Sequence, residues 1–122
     1  MEKVSQRRFE EIVADALDEI PREIWLEMEN VAVIVEDWPR PDQVATRGDT
    51  LLGLYEGVPM TRRSPLDYNG AMPDRITIFR GPLCARAKDE ADLVEQVRVT
   101  VLHEVGHFFG MSEARLRDLG WA

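Results

Sequence analysis

The chain contains two histidines, His103 and His107, and they stand four residues apart inside a segment whose apolar spacing is helical. Between Asp89 and Phe109, the residues Leu93, Val94, Val97, Val101, Leu102, Val105, Phe108 and Phe109 cover one half of a projection at about 100° per residue. His103 and His107 project from the other side, on a stripe with Gln96 and Thr100. Positions four apart on a helix differ by about 40° in azimuth and lie about 6 Å apart along the axis. Two imidazoles so placed converge on one point outside the helix. Simple counting gives this spacing for two histidines about once in sixty arrangements. Satisfied core histidines would instead share the apolar half, and these do not.

Glu104 completes His103-Glu104-Val105-Gly106-His107, an HExxH pattern in the helical context that it requires. Zinc hydrolysis needs two neutral nitrogens, an open position for water and a carboxylate to take its proton. Glu104 can reach such a water without being a ligand itself. A third protein ligand is also needed. With no further histidine in the chain, it is a carboxylate or the lone Cys84. Gly110, three residues past His107, can leave the helix with positive φ and turn the chain sharply. That turn brings Glu113 back toward the metal, and zinc accepts an oxygen ligand. Glu113 also has a plainer reading, because it follows the cap Ser112 and acidic residues suit the first turn of a helix. Asp118 is the fallback ligand, or a partner for a histidine N–H, with solvated helix surface as its simpler role.

The 122 residues suit one domain, 1–122, with a modest core, and 44% hydrophobic with 31% charged residues is a globular balance. No run of 18 apolar residues is present, so no membrane partner is expected. MEKVSQRRFEEIV lacks the apolar stretch of a secretory signal, which makes a cytoplasmic location the expectation. A net charge of −8 would repel a phosphate backbone and argues against nucleic acid. Cys84, the single cysteine, permits neither an internal disulfide nor a CxxC knuckle and reads as a small buried residue at a strand end.

Along the chain, residues 5–20 read as an amphipathic helix with Ser5 as N-cap. Pro21 ends it and opens a short second helix through Trp25 and Met28. Residues 31–35, VAVIV, form a buried strand, and 36–49 a loop with two prolines. Leu51 to Tyr55 is a second strand. RITIF at 75–79 alternates as a half-exposed or edge strand does. A turn is expected at Asn69-Gly70. The long helix then ends at Gly110 as its C′ residue. Ser112 caps a last helix carrying Leu116 and Leu119, which Gly120 closes before Trp121. The order predicts a small α+β domain.

These residues resemble the mini-zincins, small bacterial proteins of the zincin metallopeptidase superfamily. The resemblance rests on TVLHEVGHFFGMSEARLRDLG (100–120), supported by LLGLYEGVP (51–59) and DRITIFRGPL (74–83). It implies a zincin-like fold: a small, mostly three-stranded sheet, an N-terminal helix, a long active-site helix and a short C-terminal helix. It also implies Zn2+ held by His103, His107 and Glu113, with Glu104 as the catalytic base. The chain departs from the family pattern at Glu113, where the motif usually ends in Asp. Larger relatives of the metzincin type place a histidine at this position and a methionine-containing turn beneath the metal. None of the nine residues after Glu113 is Met, and Trp121 is the large apolar group left to supply such a floor.

The function expected is zinc-dependent hydrolysis of peptide bonds. The extended substrate would add to the edge of strand 75–79, and Tyr55, Tyr68, Arg62, Arg63 and Arg75 are available as oxyanion donors. The rival reading is a non-catalytic zinc-binding module that acts in protein interaction. A third is a structural or dimerising protein, with Trp25, Trp38 and the apolar strand edge as contact surface. A homodimer is compatible with each.

Overall fold

In the computed structural model, which describes residues 1–45, 51–57 and 74–121, Ser5 opens helix α1 (Gln6–Asp18). Its Oγ accepts the Arg8 N–H at 3.1 Å, satisfying a donor that the helix start leaves without an intrahelical partner. Phe9, Ile12, Val13 and Ala16 recur at helical spacing and are buried. Pro21 then precedes α2 (Arg22–Glu27), a position where its missing N–H costs nothing.

Strands β1 (Val31–Glu36), β2 (Gly53–Glu56) and β3 (Asp74–Phe79) form one mixed sheet in the order β1-β3-β2. β1 runs parallel to β3, and β2 antiparallel to it. The strand at 74–79 is therefore central, which overturns the expectation of an edge strand. Alternation marks a half-exposed strand only when its polar members reach water. Thr77 does not, being 1% exposed on a covered face beside Phe79. Ile76 and Ile78 turn to the opposite face, which they share with Val33 and Val35 of β1 through the register.

Two short helices depart from the expected course. The segment 36–49 contains α3 (Pro41–Ala45), and β3 is followed at once by α4 (Arg80–Arg86). Pro41 and Pro82 each sit in a first turn, where a helix tolerates proline. Cys84 is buried as expected, but in α4 and not at a strand end.

Helix α5 (Glu90–Phe108) begins at Asp89, whose side chain accepts the Asp92 N–H at 2.8 Å. It ends at Gly110 with φ +74°. There Gly110 N–H reaches His107 O at 2.9 Å and Met111 N–H reaches Gly106 O at 3.0 Å, the paired closure of a Schellman motif. Helix α6 (Glu113–Leu119) repeats the device: Ser112 Oγ accepts the Arg115 N–H at 3.1 Å, and Gly120 closes the other end at φ +76°. Leu93, Val97, Val101, Val105 and Phe108 of α5 pack with the buried face of α1 and with Ile76 and Ile78. Each such side chain, fully buried, contributes about 1.5–3 kcal/mol. Leu51, Leu54 and Phe79 cluster on the other side of the sheet. Among the described residues no helix is long and apolar enough to cross a membrane.

Candidate metal centre

The two imidazoles leave α5 on the same side, and their Nε2 atoms lie 3.0 Å apart. Glu113, the first residue of α6, brings Oε1 to 3.7 Å from His103 Nε2 and 3.5 Å from His107 Nε2. A tetrahedral zinc with bonds of about 2.0–2.1 Å holds its ligand atoms about 3.3–3.4 Å apart. The sides of this triangle straddle that value, and its circumscribed radius is about 2.0 Å. Two imidazoles and one carboxylate form a donor set that zinc accepts. The residues fit the ion.

Glu104 is placed differently. Its side chain is buried, and Oε1 accepts the main-chain N–H of Tyr55 at 2.9 Å. The bond from Phe79 N–H to Leu52 O at 3.0 Å fixes which β2 positions bond to β3. The alternation of an antiparallel pair then turns the Tyr55 amide outward, toward the helix side chain that receives it. Gly53 permits the approach: a Cβ there would lie 2.8 Å from Thr100 Cγ2 and 3.2 Å from Glu104 Cγ. α5 is thus covered on a second side, by β2, and Thr100 on its polar stripe is buried. One nitrogen each of His103 and His107 and one Glu104 carboxylate oxygen lie within 4.8 Å of one another, so Glu104 also stands within reach of an ion held by the histidines.

A family model described as zincin-like metallopeptidase matches residues 28–121. The chain belongs to the zincin-like metallopeptidase family. Its fold is similar to that of a solved structure, a conserved hypothetical protein from T. thermophilus, with a TM-score of 0.58. The two are 24% identical, and the match covers 95% of this chain and 97% of the other. Comparison with curated proteins finds no match.

Several groups around this zincin centre were not visible in the pattern of residue types. Gly106, inside the motif, is the seat of α6, since a Cβ there would stand 2.2 Å from Leu116 Cδ2. His103 Nδ1 lies 3.0 Å from the main-chain oxygen of Trp121. The Trp121 ring is partly buried against the main core, and its residue meets the histidine through its backbone. Tyr55 donates its hydroxyl to Asp74 Oδ2 at 2.6 Å and sets its ring edge-on to Phe108. Arg75 pairs with Glu56 at 2.9 Å, on the face of the sheet away from α5. That placement removes Arg75 as an oxyanion donor. Arg62, Arg63, Tyr68 and the Asn69-Gly70 turn lie outside the described residues. Asp118 is exposed on α6, in keeping with its solvated reading.

Proposed function

We propose that this zincin-like chain is a zinc-dependent metallopeptidase, with His103, His107 and Glu113 as ligands and Glu104 as general base. The observation that carries the reading is the division between the two carboxylates. Glu113 closes a triangle with both Nε2 atoms, while Glu104, only 4% exposed, stands beside them fastened to the sheet. Zinc bound there supplies a Lewis acid that acidifies water and polarises a substrate carbonyl. Glu104 takes the proton from the attacking water as its oxygen joins the carbonyl carbon. It then delivers that proton to the amine nitrogen as the C–N bond breaks. The Tyr55 N–H steadies one carboxylate oxygen during both transfers. Substrate alignment moves from β3, now central, to the outer side of β2, where an extended peptide would run beside Glu104.

One observation favours the rival module. The bond to Tyr55 N–H gives Glu104 a structural use, so its presence alone does not require catalysis. The two readings separate on a mixed peptide library offered to the zinc-loaded wild type and to Glu104→Ala. Cleavage by the wild type that falls at least ~10²-fold in the variant supports the enzyme. Stoichiometric zinc without cleavage supports the module.

A further inference from the structure

Helix α6 meets the histidine pair at both of its ends. Glu113, its first residue, faces both Nε2 atoms, and just past its last residue the Trp121 carbonyl lies 3.0 Å from His103 Nδ1. A carbonyl can only accept a hydrogen bond, so His103 Nδ1 is the donor, and in the neutral ring a proton on Nδ1 leaves the lone pair on Nε2. His107 Nε2 lies 3.0 Å from His103 Nε2, so both rings turn that nitrogen toward one point. We propose that the main-chain carbonyl of Trp121 is a positioning group of the metal centre: it holds His103 as the Nδ1–H tautomer and aims the Nε2 lone pair at the ion. The proposal rests on the zinc reading of the site and is independent of catalysis. Without that acceptor the ring is free to carry its proton on Nε2, where the ligand lone pair would be lost, and to turn about its side-chain torsions.

The carbonyl is held by conformation, not by a side chain. Gly120 adopts φ +76°, and a Cβ there would meet nothing within 4 Å, so substitution acts through backbone strain alone. Trp121 N–H donates to Leu116 O at 2.8 Å, and Leu116 is 0% exposed in its seat on Gly106. A continuous path therefore runs from the motif glycine through Leu116 to Trp121 and back to His103.

Zinc affinity, measured on the full chain by competition with a chromophoric chelator, tests the proposal. Gly120→Val excludes the left-handed conformation, whereas Gly120→Asn tolerates it. We expect Gly120→Val to bind zinc about 10–100-fold more weakly and Gly120→Asn to recover most of that loss. Trp121→Ala, which keeps the carbonyl, should lose less affinity than Gly120→Val. Thermal unfolding of each metal-free variant identifies any that fail to fold. Ring ¹⁵N shifts of the metal-free wild type provide a readout independent of every variant: Nδ1 protonated and Nε2 bare for His103. A wild type carrying its proton on Nε2, or a folded Gly120→Val with unchanged zinc affinity, overturns the proposal. So does a Trp121→Ala that loses as much as Gly120→Val, since the ring would then be the active part. A wild type that binds no zinc overturns the metal reading itself, and this role falls with it.

Discussion

Gly106 shows how much one missing side chain can determine. A glycine inside a helix is disfavoured by about 1 kcal/mol against alanine, so its presence there asks for a packing reason. The reason is Leu116, whose Cδ2 would be 2.2 Å from an added Cβ and whose fully buried side chain would have to repack to make way. Gly106→Ala should therefore destabilise the chain by about 1–3 kcal/mol despite the gain in helix propensity. Urea unfolding reads this directly, and an unchanged or raised midpoint would contradict it. Zinc affinity should fall in the same variant, because α6 carries Glu113. At this scale, legibility follows the side chain. His103, Glu104, His107 and Glu113 can be named from residue type and spacing, and the fold brings them together. The Trp121 carbonyl and the Tyr55 N–H cannot, because a main-chain group leaves no residue-type signature. Gly53 and Gly106 lie between these cases: glycine inside a strand or helix signals close approach without saying of what.

At the scale of elements, helices with explicit side-chain caps are legible in the sequence, the short α6 as much as the long α5. Ser5, Asp89 and Ser112 cap α1, α5 and α6, and Gly110 and Gly120 end the latter two. α3 and α4 are not: α4 is as long as α6 but starts without a side-chain cap, and so few turns give the helical period too little length to show by itself. The place of β3 is hidden because a buried threonine imitates a solvent-facing one. The start of α5 carries a pH dependence of its own. The Asp92 carboxylate accepts the Lys88 N–H at 2.8 Å and Gln96 Nε2 at 2.9 Å, and chiefly the first bond holds it below the usual carboxylate range. A carboxyl group more acidic when folded than when unfolded adds stability above its unfolded pKa, about 3.9, and loses it as pH falls through the folded value. Wild type should thus lose more stability than Asp92→Asn between neutral pH and about pH 3. Urea titrations at the two pH values check this, and equal losses would exclude the contribution.

At the scale of the whole molecule, the sheet and α1 fix α5 from two directions, and α6 is folded back over its polar side. The candidate ligand atoms therefore come from a packed helix and from a short bracket that the Gly110 turn directs. That division accounts for a centre built from few residues in a chain of 122. The α+β class and the cluster of candidate ligands can be read from sequence while the place of β3 cannot, because strand order is a tertiary property that no local period encodes. In the proposed function His103, His107 and Glu113 hold zinc, while Glu104, tied to the Tyr55 N–H, transfers the proton. The most direct measurement is zinc content per chain after dialysis against trace metal, for the wild type, His103→Ala, Glu113→Ala and Glu104→Ala. One zinc per wild-type chain is expected, with loss in His103→Ala and a larger loss in Glu113→Ala than in Glu104→Ala. A wild type without zinc, or a Glu104→Ala that loses zinc while Glu113→Ala keeps it, would overturn the ligand assignment.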